Sequence, residues 1–524
     1  MQNAKCKTSA VCTAWPERAA SSTPLRRVRH RPYFAFCILN LALLVAAPGC
    51  AKSPPALATA PRLDPVQILR NDLTTATTLP GVQHAAWGIV VHSLDRDERL
   101  FELNPRTLLV PASSAKMVSV ASAADAVGWD YRFQTTLQSS GTISDGVLHG
   151  DLLIVGSGDP SIGGRGGADV SAWIDALKAQ GIRRIEGRIV GDDDAIEEPR
   201  PALAWTWDDL GYPTGALFGA LNFAENRTTV TIAPGGTAGA PTTVTTDRSA
   251  APIPLANRTV TGPPGSAQFL WPEQRPGEPF LTVAGSIPVG AHPAALAVSA
   301  GNPTFWFATT FRQRLIRSGI DVTDEAWDID ELTPKPDRSS ARTLFTYQSP
   351  PLSDIAAPTL KDSINLYGEA FLRLNAPPGV FPTNDAALEG LRQRLSRWGI
   401  PTDGQQLVDG SGLSRRDVIT PEALLIVLLH MYDSTGGSPW MRALPVAGVD
   451  GTLNNRMRGT PAEGNVRAKT GTMSNVRSLA GYVTTRDSER LAFVAIVNNF
   501  EGSAAQAMQA IDTMAVRLAS FSRR

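Results

Sequence analysis

The chain has 524 residues, equal numbers of acidic and basic side chains, 43% hydrophobic residues and 19% charged residues. That length exceeds one compact core, so two or three domains are expected, and the composition is globular rather than disordered. A formal net charge of zero, without a basic stripe, excludes the electrostatic footprint of a nucleic-acid binder.

Basic charge is concentrated at the start. Residues 1–50 hold Lys5, Lys7, Arg18, Arg26, Arg27, Arg29 and Arg31 against the single Glu17. An apolar run from Tyr33 to Ala47 follows, then Pro48-Gly49-Cys50 and a Pro-rich stretch to Pro65. Fifteen residues interrupted by Asn40 are short for a membrane span but suit a signal-peptide core. Residues 1–50 are therefore expected to be an export signal, residues 51–65 a linker, and the periplasm the working compartment. Cys50 resembles the cysteine of a lipoprotein cleavage box, which would make it a lipid anchor; ordinary cleavage nearby would discard it. All four cysteines (Cys6, Cys12, Cys37, Cys50) lie in this segment, so the mature chain is expected to have no disulfide and no thiol nucleophile.

Residues 66–80 read as a helix, and Trp87–Val91 and Arg99–Leu103 as two strands joined by a charged turn. After Leu108-Leu109-Val110-Pro111, the Ala/Ser/Val-rich stretch Ala112–Val127 reads as a buried helix with Ser113 in its first turn. The texture then changes. Leu152–Val155 is strand-like and ends in Gly156-Ser157-Gly158-Asp159-Pro160, Ala172–Gln180 is helical, Arg188–Val190 is a strand, and 228–289 is short strands cut by Gly, Pro and Thr. Helical texture returns at Phe305–Ser318, Lys361–Leu374, Ala386–Trp398, Pro421–Asp433 and Ala504–Leu518. The strands Leu479–Thr485 and Leu491–Asn498 precede the last helix. The two ends thus read as one α/β unit and the middle as a long insertion.

Eight lysines serve the whole chain, and two of them fall in motifs that a serine acyl-transfer site uses. Ser113-Ser114-Ala115-Lys116, Ser363-Ile364-Asn365 and Lys469-Thr470-Gly471 occur in the order Ser-x-x-Lys, Ser-x-Asn, Lys-Thr-Gly. A serine hydroxyl is inert near neutral pH without a base. Three-residue spacing on a helix puts Lys116 on the face of Ser113. A helix N-terminus and a second cation, Lys469, would favour a neutral Lys116 able to take the hydroxyl proton. Ser363 can relay a proton to the leaving group, and Asn365 can hydrogen-bond Lys116 and the substrate amide. Lys469 and Thr470 could bind a substrate carboxylate, Gly471 would let the substrate backbone approach, and the N–H groups of Thr472 and Ser113 could form an oxyanion hole. Each motif alone has a plain structural explanation: a snorkelling lysine, a helix cap, a hairpin turn. The ordered triple is what points to chemistry.

Other chemistries are poorly served. The histidines His30, His84, His92, His149, His292 and His430 are scattered, Gly-x-Ser-x-Gly is absent, and no histidine pair has metal spacing. Asp192-Asp193-Asp194 lacks calcium-loop spacing and reads as a solvated turn. No metal and no cofactor is expected.

The motifs resemble those of the low-molecular-mass class C penicillin-binding proteins, the D-alanyl-D-alanine carboxypeptidase/endopeptidase family. Besides the triple, Pro111-Ala112-Ser113, the Gly156–Pro160 turn, Asp409-Gly410-Ser411-Gly412-Leu413-Ser414-Arg415 and Ala447–Leu453 match that family. Ile364 departs from it, standing where Asp is usual. The resemblance implies an α/β (α+β) penicillin-recognising, transpeptidase-like domain, its antiparallel sheet between helical layers, with two nested, β-rich inserted domains. The expected division is 66–137 with 346–524 for the catalytic domain, 138–157 with 230–345 for a second domain, and 158–229 for a third. It also implies cleavage of D-Ala from peptidoglycan stem peptides or of their cross-links, acylation of Ser113 by β-lactams, and a substrate-side role for Arg415. A β-lactamase or esterase on the same fold, and a non-catalytic peptidoglycan-binding protein, are the alternatives.

Overall fold

A computed structural model describes residues 64–247, 253–275, 278, 280–434 and 437–524. The expected export signal, Cys50 and nearly all of the linker lie outside the described residues. Among those described, no helix is long and apolar enough to cross a membrane.

The catalytic sheet joins the two ends of the chain. Strands β1 (Ala86–Ser93) and β2 (Glu98–Leu103) come from the N-terminal part. Strands β3 (Arg467–Met473), β4 (Val476–Thr484) and β5 (Arg490–Asn498) come from the C-terminal part. The order is β2-β1-β5-β4-β3, all antiparallel, with Trp87 opposite Val497 and Lys469 opposite Ala480. Side chains alternate between faces along a strand. Trp87, Ile89, Val91, Phe493, Ala495 and Val497 accordingly enter one core, and Val90, Ala492, Val494 and Ile496 the other. Both faces are covered, which is why these strands read as near-continuous apolar runs.

Helices α1 (Pro65–Thr77) and α6 (Ala504–Ala519) cover the first face. Proline opens α1, where its missing N–H costs nothing, and Val66, Leu69, Leu73 and Ala76 form its buried stripe. Ser503 and Gln506 cap α6 reciprocally. Truncating Leu73, almost fully buried, to alanine would cost about 2–5 kcal/mol. The other face carries α2 (Ala115–Val127), α3 (Leu352–Lys361), α4 (Asn365–Arg373) and α5 (Pro421–Asp433). The helix expected over Lys361–Leu374 is in fact the end of α3, a break, and α4. Ser363 occupies the break with φ 62°, a left-handed conformation that no α-helix continues through.

Between α2 and α3 the chain builds a mixed five-stranded sheet. Its order is 326–328, 189–192, 152–155, 134–139, 342–348; the first three strands are parallel and the last two antiparallel. Helices Ser171–Ala179 and Pro303–Arg317 pack on it through Trp173, Trp306, Phe307 and Phe311. A further excursion, 227–299, forms two three-stranded sheets around Val230, Ile232, Val283 and Val298. The resemblance implies divisions within the insertion at 157/158 and 229/230, and strand pairing joins segments on either side of the first. Ile189–Asp192 lies inside the sheet that also holds Leu152–Val155, and Gln134–Ser139 belongs to that sheet as well. Gly156 N–H donates to Asp192 O at 3.0 Å and Gly158 N–H to Ala220 O at 2.8 Å, so the Gly156–Pro160 segment stays bonded within the module.

Candidate active site

Pro111–Ala112 turns the chain sharply into α2. Ala112 has φ 48°, an uncommon value for a residue with a Cβ, and Ala112–Ser114 is one turn of 3-10 helix. Side chains of the sheet hold this turn. Ser478 Oγ donates to Pro111 O at 2.7 Å, which leaves Ser114 Oγ to donate to Ser478 Oγ at 2.7 Å. Asn498 accepts from Val110 N–H at 2.8 Å and donates to Val110 O at 3.1 Å. Two glycines give the turn room: a Cβ on Gly471 would overlap Ser478 Oγ and Pro111 O, and one on Gly412 would overlap Ala112 O. The missing side chain of Gly471 makes way for the Ser113 turn, a requirement separate from the substrate approach expected of it.

The turn and α2 bring the two halves of the motif set together. Lys116 Nζ lies 3.0 Å from Ser113 Oγ, 2.6 Å from Asn365 Oδ1 and 2.7 Å from Ser411 O. Lys469 Nζ donates to Ser363 Oγ at 2.9 Å and to Thr470 O at 2.7 Å. The left-handed backbone at Ser363 lets its hydroxyl meet Lys469 while Asn365, two residues on, reaches Lys116. Asn365 Nδ2 also donates to Thr214 O at 2.8 Å, tying the site to the inserted segment.

Both lysines are fully buried. Burial pushes Lys116 down to about 8, against the opposing pull of Asp409, Glu369 and Asp417. Burial also holds Lys469 well below the ordinary lysine range, and the charge of Lys116 pushes it further down. The sequence reading made Lys469 the resident cation that keeps Lys116 neutral. Asp409, Glu369 and Asp417 favour the charged form of Lys116, and Lys116 in turn disfavours the charge on Lys469.

Those carboxylates escaped sequence reasoning, apart from Asp409 as a letter in a matched segment. Asp409 is buried and accepts from the N–H groups of Ser411 (3.0 Å), Gly412 (2.6 Å) and Ser414 (2.8 Å), and from Trp205 Nε1 (2.8 Å). It therefore shapes the loop whose Ser411 carbonyl meets Lys116. Glu369 accepts from Gly410 N–H through both oxygens at 3.1 Å, and burial beside Asp409 raises it to about 7. Asp417 accepts from Val408 N–H at 2.7 Å and is raised well above the usual carboxylate range by burial and Asp409. Glu369 stands four residues after Asn365 on the same helix face, the one signal that could have pointed to it.

A cleft of about 570 Å³ opens over these groups. Ser113, Ser363, Asn365, Thr470, Thr472 and Arg415 line it, so it gathers every expected site residue except the two lysines and Gly471, which lie behind the wall. Thr470 Oγ1 donates to Thr452 Oγ1 at 2.8 Å, and Arg415 donates to Ser474 O at 3.4 Å. The opposite wall is the inserted segment 204–214, with Asp208 and Asp209, and Asp362 adds a third carboxylate. Ser414 Oγ donates to Leu203 O at 2.8 Å, which helps dock that segment.

A model of the D-Ala-D-Ala carboxypeptidase 3 (S13) family matches residues 69–520, and the chain belongs to that family. It is 32% identical over 496 residues to the D-alanyl-D-alanine carboxypeptidase of Actinomadura sp. (strain R39), covering 92% of this chain and 89% of that protein. It is 26% identical over 421 residues to D-alanyl-D-alanine carboxypeptidase DacB of Haemophilus influenzae, covering 79% and 85%. The crystal structure of penicillin binding protein 4 (dacB) from H. influenzae superposes with a TM-score of 0.76 at 25% identity, over 86% of this chain and 99% of that one. A second structure of that protein, in complex with a β-lactam, gives 0.70 at 24%, over 86% and 98%. The fold is the penicillin-recognising one, and the chain is a serine-type D-Ala-D-Ala carboxypeptidase.

Proposed function

We propose that Ser113 is the nucleophile, working on the D-Ala-D-Ala end of peptidoglycan stem peptides. Ser113 Oγ attacks the carbonyl carbon of the penultimate D-Ala and its proton passes to Lys116. The C–N bond then breaks, the leaving amine takes a proton by way of Ser363 and Lys469, and water hydrolyses the resulting ester. The N–H groups of Ser113 and Thr472 serve the developing oxyanion. Thr470 receives the substrate's terminal carboxylate, with Lys469 behind it in the wall. That carboxylate favours the charged form of Lys469, so Lys469 gains a proton and Lys116 loses one. The observation that carries this reading is Lys116 Nζ held between Ser113 Oγ and Asn365 Oδ1 at 3.0 and 2.6 Å. Arg415 and the Asp208, Asp209 and Asp362 carboxylates suit a substrate bearing both signs of charge.

β-Lactams acylate the same oxygen and block the site. Cross-link cleavage is the same reaction with a larger leaving amine, and product masses from muropeptide monomers and cross-linked dimers separate the two activities. Among the described residues no carboxylate hydrogen-bonds Ser113 Oγ, which speaks against rapid deacylation of the lactamase kind. Turnover of a chromogenic cephalosporin at many cycles per second would overturn that part. The catalytic unit is assigned to 64–133 with 349–524, an inserted module to 134–226 with 300–348, and a distal module to 227–299. The basic, apolar N-terminal segment supports export to the periplasm; palmitate labelling of wild type against Cys50→Ala tests the lipid anchor.

A further inference from the structure

Away from the cleft, the inserted sheet places carboxylates together at the C-terminal ends of two parallel strands. Asp193 follows strand 189–192, Asp328 closes strand 326–328, and Asp330 lies in the turn after it. Oxygen atoms of these three side chains lie within 4.8 Å of one another. The sequence alone suggests a solvated turn here, yet Asp193 is only 1% exposed and Asp328 4%.

Neutral donors are what meet the two buried carboxylates. Asp193 Oδ2 accepts from Thr304 Oγ1 at 2.5 Å, while Asp193 Oδ1 has no hydrogen-bond partner. Asp328 accepts from Asn302 Nδ2 at 2.8 Å and from Asp330 N–H at 3.2 Å. Lys335 pairs with the outer carboxylates, Asp330 and Asp194, and Arg338 with Asp192. Neither cation pairs with Asp193 or Asp328. A buried ionised carboxylate without a cation is costly, and ion pairing, metal coordination or protonation removes that cost. Asp330 is exposed and keeps the cluster open to solvent.

We propose that Asp193, Asp328 and Asp330 bind one hard divalent cation of the calcium class, which prefers carboxylate oxygen and completes its shell with water. The ion would fasten the strand ends to the start of helix Pro303–Arg317. It would also fix the root of the segment that leaves Asp193 and, at 204–214, walls the active-site cleft.

The test uses the chelator-stripped full chain titrated with CaCl2, read by calorimetry and by thermal unfolding, with MgCl2 as a second probe. The expected result is saturable binding of one ion per chain. The unfolding midpoint should rise by about 2–4 °C or more at a large excess over Kd. Asp193→Asn and Asp328→Asn should each lose both effects while Ser113 still reacts with a fluorescent penicillin. No saturable binding of either ion to the wild type at millimolar concentration would overturn the site. Binding retained by both variants would overturn the assignment to these residues.

Discussion

A Cβ on Gly412 would overlap the carbonyl oxygen of Ala112, so the loop shaped by Asp409 and the turn carrying Ser113 touch backbone to backbone. Gly412 also has φ 77°, a conformation that disfavours any side chain. Gly412→Ala must move one of the two, and a displacement of the order of 1 Å at a reacting atom costs roughly 100-fold in rate. The expected outcome is a comparable drop in penicillin acylation rate with a stability loss of about 1–3 kcal/mol. Stopped-flow acylation and urea unfolding check the two parts.

Asp409→Ala removes the acceptor from three backbone N–H groups and from Trp205 at once. Bonds to a charged acceptor contribute about 1.5–3 kcal/mol each without adding in full. Destabilisation of about 3–5 kcal/mol is expected, together with loss of D-Ala release. Ser411 O and Gly412 would no longer be held against Lys116 and Ala112. Denaturant unfolding beside a D-Ala release assay reads both.

Lys116 must be neutral to take the Ser113 proton, and burial brings it down to about 8. Acylation by penicillin, measured as the second-order rate, should therefore rise with pH through about 8 and level off above it. Stability follows the same sign. Between about 8 and the ordinary lysine value the unfolded chain binds the proton that folded Lys116 has released, so stability rises with pH across that window. A rate that is flat from pH 6 to 10 would remove Lys116 as the base.

Glu369 opposes the depression of Lys116. Glu369→Gln keeps an acceptor for Gly410 N–H and removes the charge, so the acylation profile should move to lower pH. The folded Glu369 titrates near 7, above the unfolded value, and binds protons that the unfolded chain has lost. It therefore costs stability as pH rises from about 4.5 to 7, and the variant should show a smaller stability decline over that range. Rate–pH and melting–pH profiles of both proteins decide this.

Much of the site was legible because its chemistry sits in short motifs. Ser113 to Lys116 is one helical turn, and β3 presents Lys469, Thr470 and Gly471 in a row. The outer elements were legible from apolar patterning, as in Val66, Leu69 and Leu73 of α1. What sequence did not reveal depends on packing between distant segments. The break at Ser363 is a backbone conformation that no composition marks. The requirement for Gly471 comes from Pro111 and Ser478, which are remote in sequence. Glu369 and Asp417 look like ordinary surface acids until burial beside Asp409 alters them. The insertion was visible, but the pairing of Leu152–Val155 with Ile189–Asp192 is a long-range contact that no composition marks.

The most direct test of Ser113 as the acylated nucleophile is intact-protein mass after incubation with benzylpenicillin, compared between wild type and Ser113→Ala. Wild type should gain the mass of one penicillin on the peptide that contains Ser113, and Ser113→Ala should gain none and release no D-Ala. Stoichiometric adduct on Ser113→Ala, or on another residue of the wild type, would contradict it.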